Sequence, residues 1–176
     1  FYGQYLSEKL NNSIKLNKGA KVFLHRVKKP EKYGVARVKK NKITLIKEKP
    51  KKFFSDFAIT GLYFFDNNVV KLSKKLKPSK RGELEITDLL NLYKKNNKLS
   101  ADFIGRGGAW LDTGSISDYY KTSDFVSAIE NRQGFKIACI EEIALLNKWI
   151  TRKHINNSIK FYGNCEYSDY LRKLIK

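Results

Sequence analysis

A lysine, an arginine and an aspartate stand at the ends of separate apolar, strand-like runs. They are Lys49 in Lys47-Glu48-Lys49-Pro50, Arg81 in Arg81-Gly82-Glu83-Leu84-Glu85-Ile86-Thr87-Asp88, and Asp112 in Ala109-Trp110-Leu111-Asp112-Thr113-Gly114. Open α/β sheets present their ligand sites where strands end. An ammonium and a guanidinium neutralise phosphate oxygens, and a carboxylate is a natural ligand for a hard cation. The trio points to a pocket for a phosphorylated ligand and a metal ion.

Each residue also has a plainer explanation. The chain holds 29 lysines, so composition alone accounts for one before a proline. Arg81 can pair with Glu83 or Glu85 on the surface, and Asp before Thr-Gly is a common turn. Gly34 fits close backbone approach to a ligand or a strand irregularity. Gly61, within Thr60-Gly61-Leu62-Tyr63-Phe64, fits a bulge or a ligand contact. Trp110 fits a pocket wall or a core position. His25 and His154 have no partner at catalytic spacing, and no Ser-His-Asp, Cys-His or Walker-type arrangement occurs.

The elements that must position these groups follow from periodicity. Leu6, Leu10 and Ile14 form one stripe of a helix over 4–18, with Gly19 at its C′ position. Residues 20–27 read as a covered strand, and 33–38 with 43–48 as a hairpin turning over Lys39–Lys42, with Ile43 and Leu45 on one face. Residues 57–66 are the most strand-like run, followed by a helix capped by Asn67. Ile86, Leu89, Leu90 and Tyr93 mark another helix. Residues 99–104 and 109–112 read as short strands. Ser115 or Ser117 caps a long helix carrying Ile116, Tyr119, Tyr120, Val126 and Ile129, which Gly134 ends. The remainder is helical, with a break at Gly163. The order predicts an α/β fold with a mixed sheet over 1–114 and a helical region over 115–176.

Bulk properties narrow the function classes. With 41% hydrophobic residues the chain can build a core. No run of about 18 apolar residues exists, so no membrane partner is expected. Cys139 and Cys165 lie far apart without a CxxC, which fits reduced thiols in a cytoplasmic protein. The net charge of +19 invites a nucleic-acid partner, yet the 7 arginines are few and the lysines scattered, so a solvated lysine surface is the better reading.

Taken together, PEKYGV (30–35), KEKP (47–50), AITGLYFFD (58–66), LKPSKRGELEITD (76–88), GRGGAWLDTG (105–114) and ENRQGFKIACIEEIA (130–144) resemble the C-terminal part of glucose-1-phosphate thymidylyltransferases. That resemblance implies a Rossmann-like nucleotide-diphospho-sugar transferase fold. It implies a reaction, too: dTTP and glucose 1-phosphate give dTDP-glucose and pyrophosphate with Mg2+, in the dTDP-rhamnose pathway of polysaccharide biosynthesis. By motif, Lys49 and Arg81 hold the sugar phosphate; Gly34, Glu48 and Ile59 contact the sugar; Trp110 flanks the pocket; and Asp112 binds the metal. A regulatory nucleotide site at the subunit contacts of a homotetramer corresponds to Tyr2, Gly3, Gly105, Arg106, Lys136, Glu142 and Ile143. Leu146 and Gly108 depart from that pattern, where a basic residue and an aromatic are usual. The family's Gly-rich triphosphate loop and its second metal-binding Asp do not occur in these residues. The chain alone is therefore expected to be inactive: either a separate N-terminal half completes it, as in a split enzyme, or it is a decayed remnant.

Overall fold

The computed structural model describes residues 1–40 and 42–176. They form two compact units, Phe1–Trp110 and Leu111–Lys176. In chain order the first unit contains β1 (Tyr2–Gly3), α1 (Leu6–Ile14), β2 (Ala20–Arg26), a 3-10 turn (Pro30–Lys32), β3 (Gly34–Lys39), β4 (Lys42–Glu48), β5 (Phe57–Phe65), α2 (Asn68–Ser73), α3 (Ile86–Lys95), β6 (Leu99–Phe103) and β7 (Gly108–Ala109).

Five strands form a mixed sheet in the order β4-β3-β5-β2-β6. β2 is parallel to β6, and the other pairings are antiparallel. β2 therefore lies inside the sheet, and Val22, Phe23 and Leu24 are fully buried, as its unbroken apolar run requires. Leu90 of α3 packs on Val22, Leu24, Ala36, Ile43, Ile46 and Ile59. Leu89 and Tyr93 form a second cluster with Ala20, flanked by Phe65, Val69 and Leu72. Full burial of each aliphatic side chain contributes about 1.5–3 kcal/mol.

Several expectations change. The hairpin is present, but the pairing shifts between Arg37 and Val38, leaving Thr44 as an extra residue on β4. Its hydroxyl donates to Arg37 O at 3.1 Å. The bulge breaks the period-2 alternation, so Ile43 and Ile46 face the core rather than Ile43 and Leu45. The expected turn over Lys39–Lys42 includes Asn41, which lies outside the described residues. Gly61 sits at a second irregularity, where Phe23 of β2 meets Thr60, Gly61 and Leu62 of β5. Gly61 has φ +82° and Thr60 donates to Phe23 O at 2.9 Å, so the bulge is real.

α1 is shorter than predicted and ends at Ile14. Gly19 does not terminate it. A Cβ there would lie 2.5 Å from Lys98 O, so the glycine permits a close backbone crossing. α2 is capped not by Asn67 but by Asp66, whose carboxylate accepts from Asn68 N at 3.1 Å. The strand expected over 109–112 is two residues long and pairs with β1 (Tyr2↔Ala109, Gly3↔Gly108).

The second unit consists of α4 (Ile116–Gln133), α5 (Ile140–Leu146), α6 (Arg152–Tyr162) and α7 (Glu166–Leu174). Ser115 caps α4 by accepting from Asp118 N at 3.1 Å, and Gly134, with φ +72°, ends it. His154 accepts from Thr151 N in a capping box at the start of α6. Cys139, Ile155, Tyr170 and Leu171 form the core of this unit. Both cysteines are free thiols. Among the described residues no helix is long and apolar enough to cross a membrane.

Candidate functional site

The β3–β4 hairpin ends where β4 runs out of ladder. Gly34 pairs with Glu48, and Lys49 follows with φ +38°, donating its N–H to Tyr33 O at 3.0 Å. Pro50 offers no N–H, so the ladder stops there. Lys49 is exposed, and among the described residues its ammonium has no ion-pair partner.

Gly34 is required by crowding. A Cβ on it would meet Thr87 Cγ2 at 2.8 Å, Glu48 Oε2 at 3.0 Å and Ile59 Cδ1 at 3.6 Å. Three elements therefore converge on one glycine: β4 through Glu48, β5 through Ile59 and the first turn of α3 through Thr87.

Arg81 reaches the same place from a tight turn. Its N–H donates to Ser79 Oγ at 3.1 Å, and Gly82 N donates to Ser79 O at 2.9 Å. The guanidinium faces Glu83 at 2.7 Å, Glu85 at 3.4 Å and Glu48 at 3.8 Å. Glu85, at the N-cap of α3, is buried and also accepts from Ser79 Oγ at 2.8 Å. Arg81 thus pairs with carboxylates, as the plainer explanation anticipated. One of those carboxylates, however, Glu48, is the one packed against Gly34.

The electrostatics link these groups. Burial, and then the nearby Glu85 carboxylate, raise the Glu48 pKa above the usual value, opposed by a Thr87 hydrogen bond and by the Lys49 and Arg81 charges. Tyr63 is pushed up to about 12 by burial and by the Glu48 charge. Trp110 stands edge-on to Tyr33 with ring centroids 5.0 Å apart, and to His25 at 6.4 Å. The first unit thus assembles Gly34, Glu48, Lys49, Ile59 and Arg81 as one neighbourhood.

Asp112 is placed differently. It belongs to the second unit and to a turn, where its Oδ1 accepts from Gly114 N at 3.2 Å. Among the described residues no group of three or more His, Cys, Asp or Glu could hold a metal by itself. An exposed single carboxylate still suits a Mg2+ that keeps its waters and takes phosphate oxygens.

The regulatory candidates divide between the units. Tyr2, Gly3 and Gly105 line a cleft of about 200 Å³ in the first unit, with Arg106 exposed beside it. A Cβ on Gly108 would lie 2.6 Å from Ile104 Cγ2, so this backbone leaves no room there for an aromatic. In the second unit Lys136 pairs with Glu130 at 2.8 Å, Glu142 accepts from Tyr170 OH at 2.6 Å, and Ile143 is exposed.

Sequence reasoning missed Thr87, Ser79 and Tyr63, and read Glu85 only as a surface partner of Arg81. Glu85 and Thr87 lie four and six residues after Arg81 in a segment already singled out. The usable signal was an acid just before the apolar stripe of α3.

Residues 1–128 match the nucleotidyl transferase family model. The chain belongs to the nucleotidyl transferase family. It is similar to the glucose-1-phosphate thymidylyltransferase of Neisseria gonorrhoeae, with 45% identity over 99% of this chain and 61% of that protein. The enzyme of the same name from Xanthomonas campestris is 40% identical over 100% of this chain and 60% of that protein. The chain therefore spans about three fifths of the length of these relatives. These matches do not place that share at the relatives' C-terminal end, as the motifs led us to expect.

Among solved structures, a chain described as a glucose-1-phosphate thymidylyltransferase from Bacillus anthracis in complex with sucrose gives a TM-score of 0.57 at 41% identity, covering 68% of this chain and 46% of that one. A UDP-glucose pyrophosphorylase complexed with UDP-glucose gives 0.54 at 27% identity, covering 61% and 43%. The family's fold, a mixed curled sheet with helices, is the fold of this chain.

Proposed function

We propose that this chain forms the sugar-phosphate side of a nucleotidyl transfer site that makes dTDP-glucose and pyrophosphate from dTTP and glucose 1-phosphate. The supporting observation is that Glu48, packed against Gly34, is followed directly by Lys49 and is approached from a distant segment by Arg81 at 3.8 Å. In the reaction a phosphate oxygen of glucose 1-phosphate attacks the α-phosphorus of the nucleotide, the bond to the bridging β-oxygen breaks, and pyrophosphate leaves. The chain's task is positioning and charge neutralisation.

Lys49, exposed and fixed by the Tyr33 hydrogen bond, meets the sugar phosphate as a point charge. Arg81 turns part of its fork from Glu83 to the same phosphate. Glu48 accepts hydrogen bonds from sugar hydroxyls, and the close backbone at Gly34 lets the ring approach. Trp110 covers one side. The metal is assigned to Asp112 from its Leu-Asp-Thr-Gly segment; bound Mg2+ would neutralise phosphate charge there. A nucleotide-binding regulatory role falls to Tyr2, Gly3, Gly105 and Arg106 in the first unit and to Lys136, Glu142 and Ile143 in the second.

The test is protection of Lys49 from amine modification. Glucose 1-phosphate is expected to protect it, and duplex DNA is not. Equal protection by DNA, or none by the sugar phosphate, overturns the reading.

A further inference from the structure

A basic cleft lies between α2 and α3, apart from the neighbourhood of Arg81. Its volume is about 300 Å³, at the small end of the about 300–1,000 Å³ usual for ligand pockets. Lys71, Lys75 and Lys98 line it with the Asn96 carboxamide, over Leu72 and Tyr93. None of its lining residues is acidic. Among the described residues none of these three lysines has an ion-pair partner.

The backbone fixes where these lysines start. Lys75 N donates to Leu72 O at 3.0 Å, and Lys98 O accepts from Ala20 N at 2.7 Å. Asp66, which Tyr93 and Asn68 reach, is not in the lining. It accepts hydrogen bonds from Gly19 N at 2.7 Å and Tyr93 OH at 2.8 Å, so its charge is held by the fold.

Lysines scattered over a surface repel little, because water and salt screen them. Three that line one concavity are different, since each raises the cost of the next and an anion between them removes that cost. Lys71 lies in the last turn of α2 and Lys75 two residues beyond its end, so both come from one short stretch of chain. One phosphate would leave charge over, whereas a diphosphate supplies oxygens to all three. A concave cleft also suits a small anion better than a duplex, which needs an extended basic face.

We infer that this cleft binds a small anion carrying two or more linked phosphates, at a site independent of the sugar-phosphate reading. The probe is inorganic pyrophosphate, titrated calorimetrically into the full chain with inorganic phosphate as comparison. Lys71→Glu/Lys98→Glu is expected to weaken pyrophosphate binding at least about tenfold, since two charge-assisted contacts become repulsive. Lys39→Glu/Lys153→Glu, with the same net charge, stays within about twofold, as for screened surface charges. Lys49→Ala retains binding, and pyrophosphate raises the unfolding temperature. Equal weakening in both double variants overturns the inference, as does pyrophosphate binding no tighter than phosphate, or loss of binding in Lys49→Ala.

Discussion

Gly34 and Glu48 face each other across the β3–β4 ladder, and a Cβ on the glycine would lie 3.0 Å from Glu48 Oε2. The same atom would lie 2.8 Å from Thr87 Cγ2, part of a buried side chain that cannot swing away. Gly34→Ala is therefore expected to destabilise the chain by about 1–3 kcal/mol, the usual cost of overpacking, and to abolish glucose 1-phosphate binding. Thr87→Ser removes the clashing methyl and keeps the hydroxyl. In the Gly34→Ala background it should restore most of the stability in urea unfolding. No restoration would mean that the backbone, not Thr87, sets the cost.

Glu48 gives a pH signature of its own. Its pKa is raised in the folded state by burial and by Glu85. The folded chain therefore holds that proton more tightly than the unfolded chain, and this group's contribution to stability falls as pH rises from the ordinary carboxylate range through the raised value. Glu48→Gln removes that contribution. The difference between variant and native chain should shift in the variant's favour with rising pH over that window. A difference independent of pH would show that Glu48 titrates normally.

Asp66 works in the opposite sense. It accepts from Gly19 N, Asn68 N and Tyr93 OH, and these hydrogen bonds hold its pKa at about 2. Its contribution is present above the ordinary aspartate range and is lost as pH falls through about 2. Asp66→Asn should cost about 2 kcal/mol at neutral pH, the scale of lost hydrogen bonds to a charged acceptor. The cost should shrink in acid as the native carboxyl protonates. Tyr93→Phe, which leaves the carboxylate two of its backbone donors, should cost less.

The sequence made legible those elements whose signals are local. β2 and β5 were clear from apolar and aromatic runs, and α4 from Ser115 at one end and Gly134 at the other. The bulge at Thr44 was not legible, because one inserted residue leaves composition unchanged and only reverses which side chains face inward. Asp66 was hidden for a similar reason: Asn67 looked like the cap, but the acid one residue earlier had two further donors, from Gly19 and Tyr93, that only tertiary structure supplies. At the site, Lys49 and Arg81 stood out as charges beside strand and turn signals. Thr87 did not, since its role is a methyl against Gly34, a contact across more than fifty residues of chain.

Arg81 supplies the sharpest test, because distance and burial rank its partners differently. Glu83 is its shortest contact at 2.7 Å, but that carboxylate side chain is 58% exposed. Glu85 lies at 3.4 Å and is only 10% exposed, and Glu48 lies at 3.8 Å and is 22% exposed. Water screens the first pair and reaches the other two far less, so burial should decide. Glu83→Ala is expected to change stability by less than about 0.5 kcal/mol, as for ordinary surface ion pairs. Arg81→Ala leaves Glu48 and Glu85 facing each other without their cation and should cost about 1–3 kcal/mol, the scale of a desolvated charged group left unpaired. That loss should recede as pH is lowered, because protonating either carboxylate relieves the repulsion that the guanidinium had offset. Arg81→Lys should recover only part of it, since one ammonium cannot span Glu48 and Glu85 as a planar fork does. Urea unfolding of the three variants at neutral and acidic pH distinguishes the two rankings. If Glu83→Ala proves as costly as Arg81→Ala, the short surface contact is the one that matters, and the Glu48–Glu85 pair does not depend on Arg81.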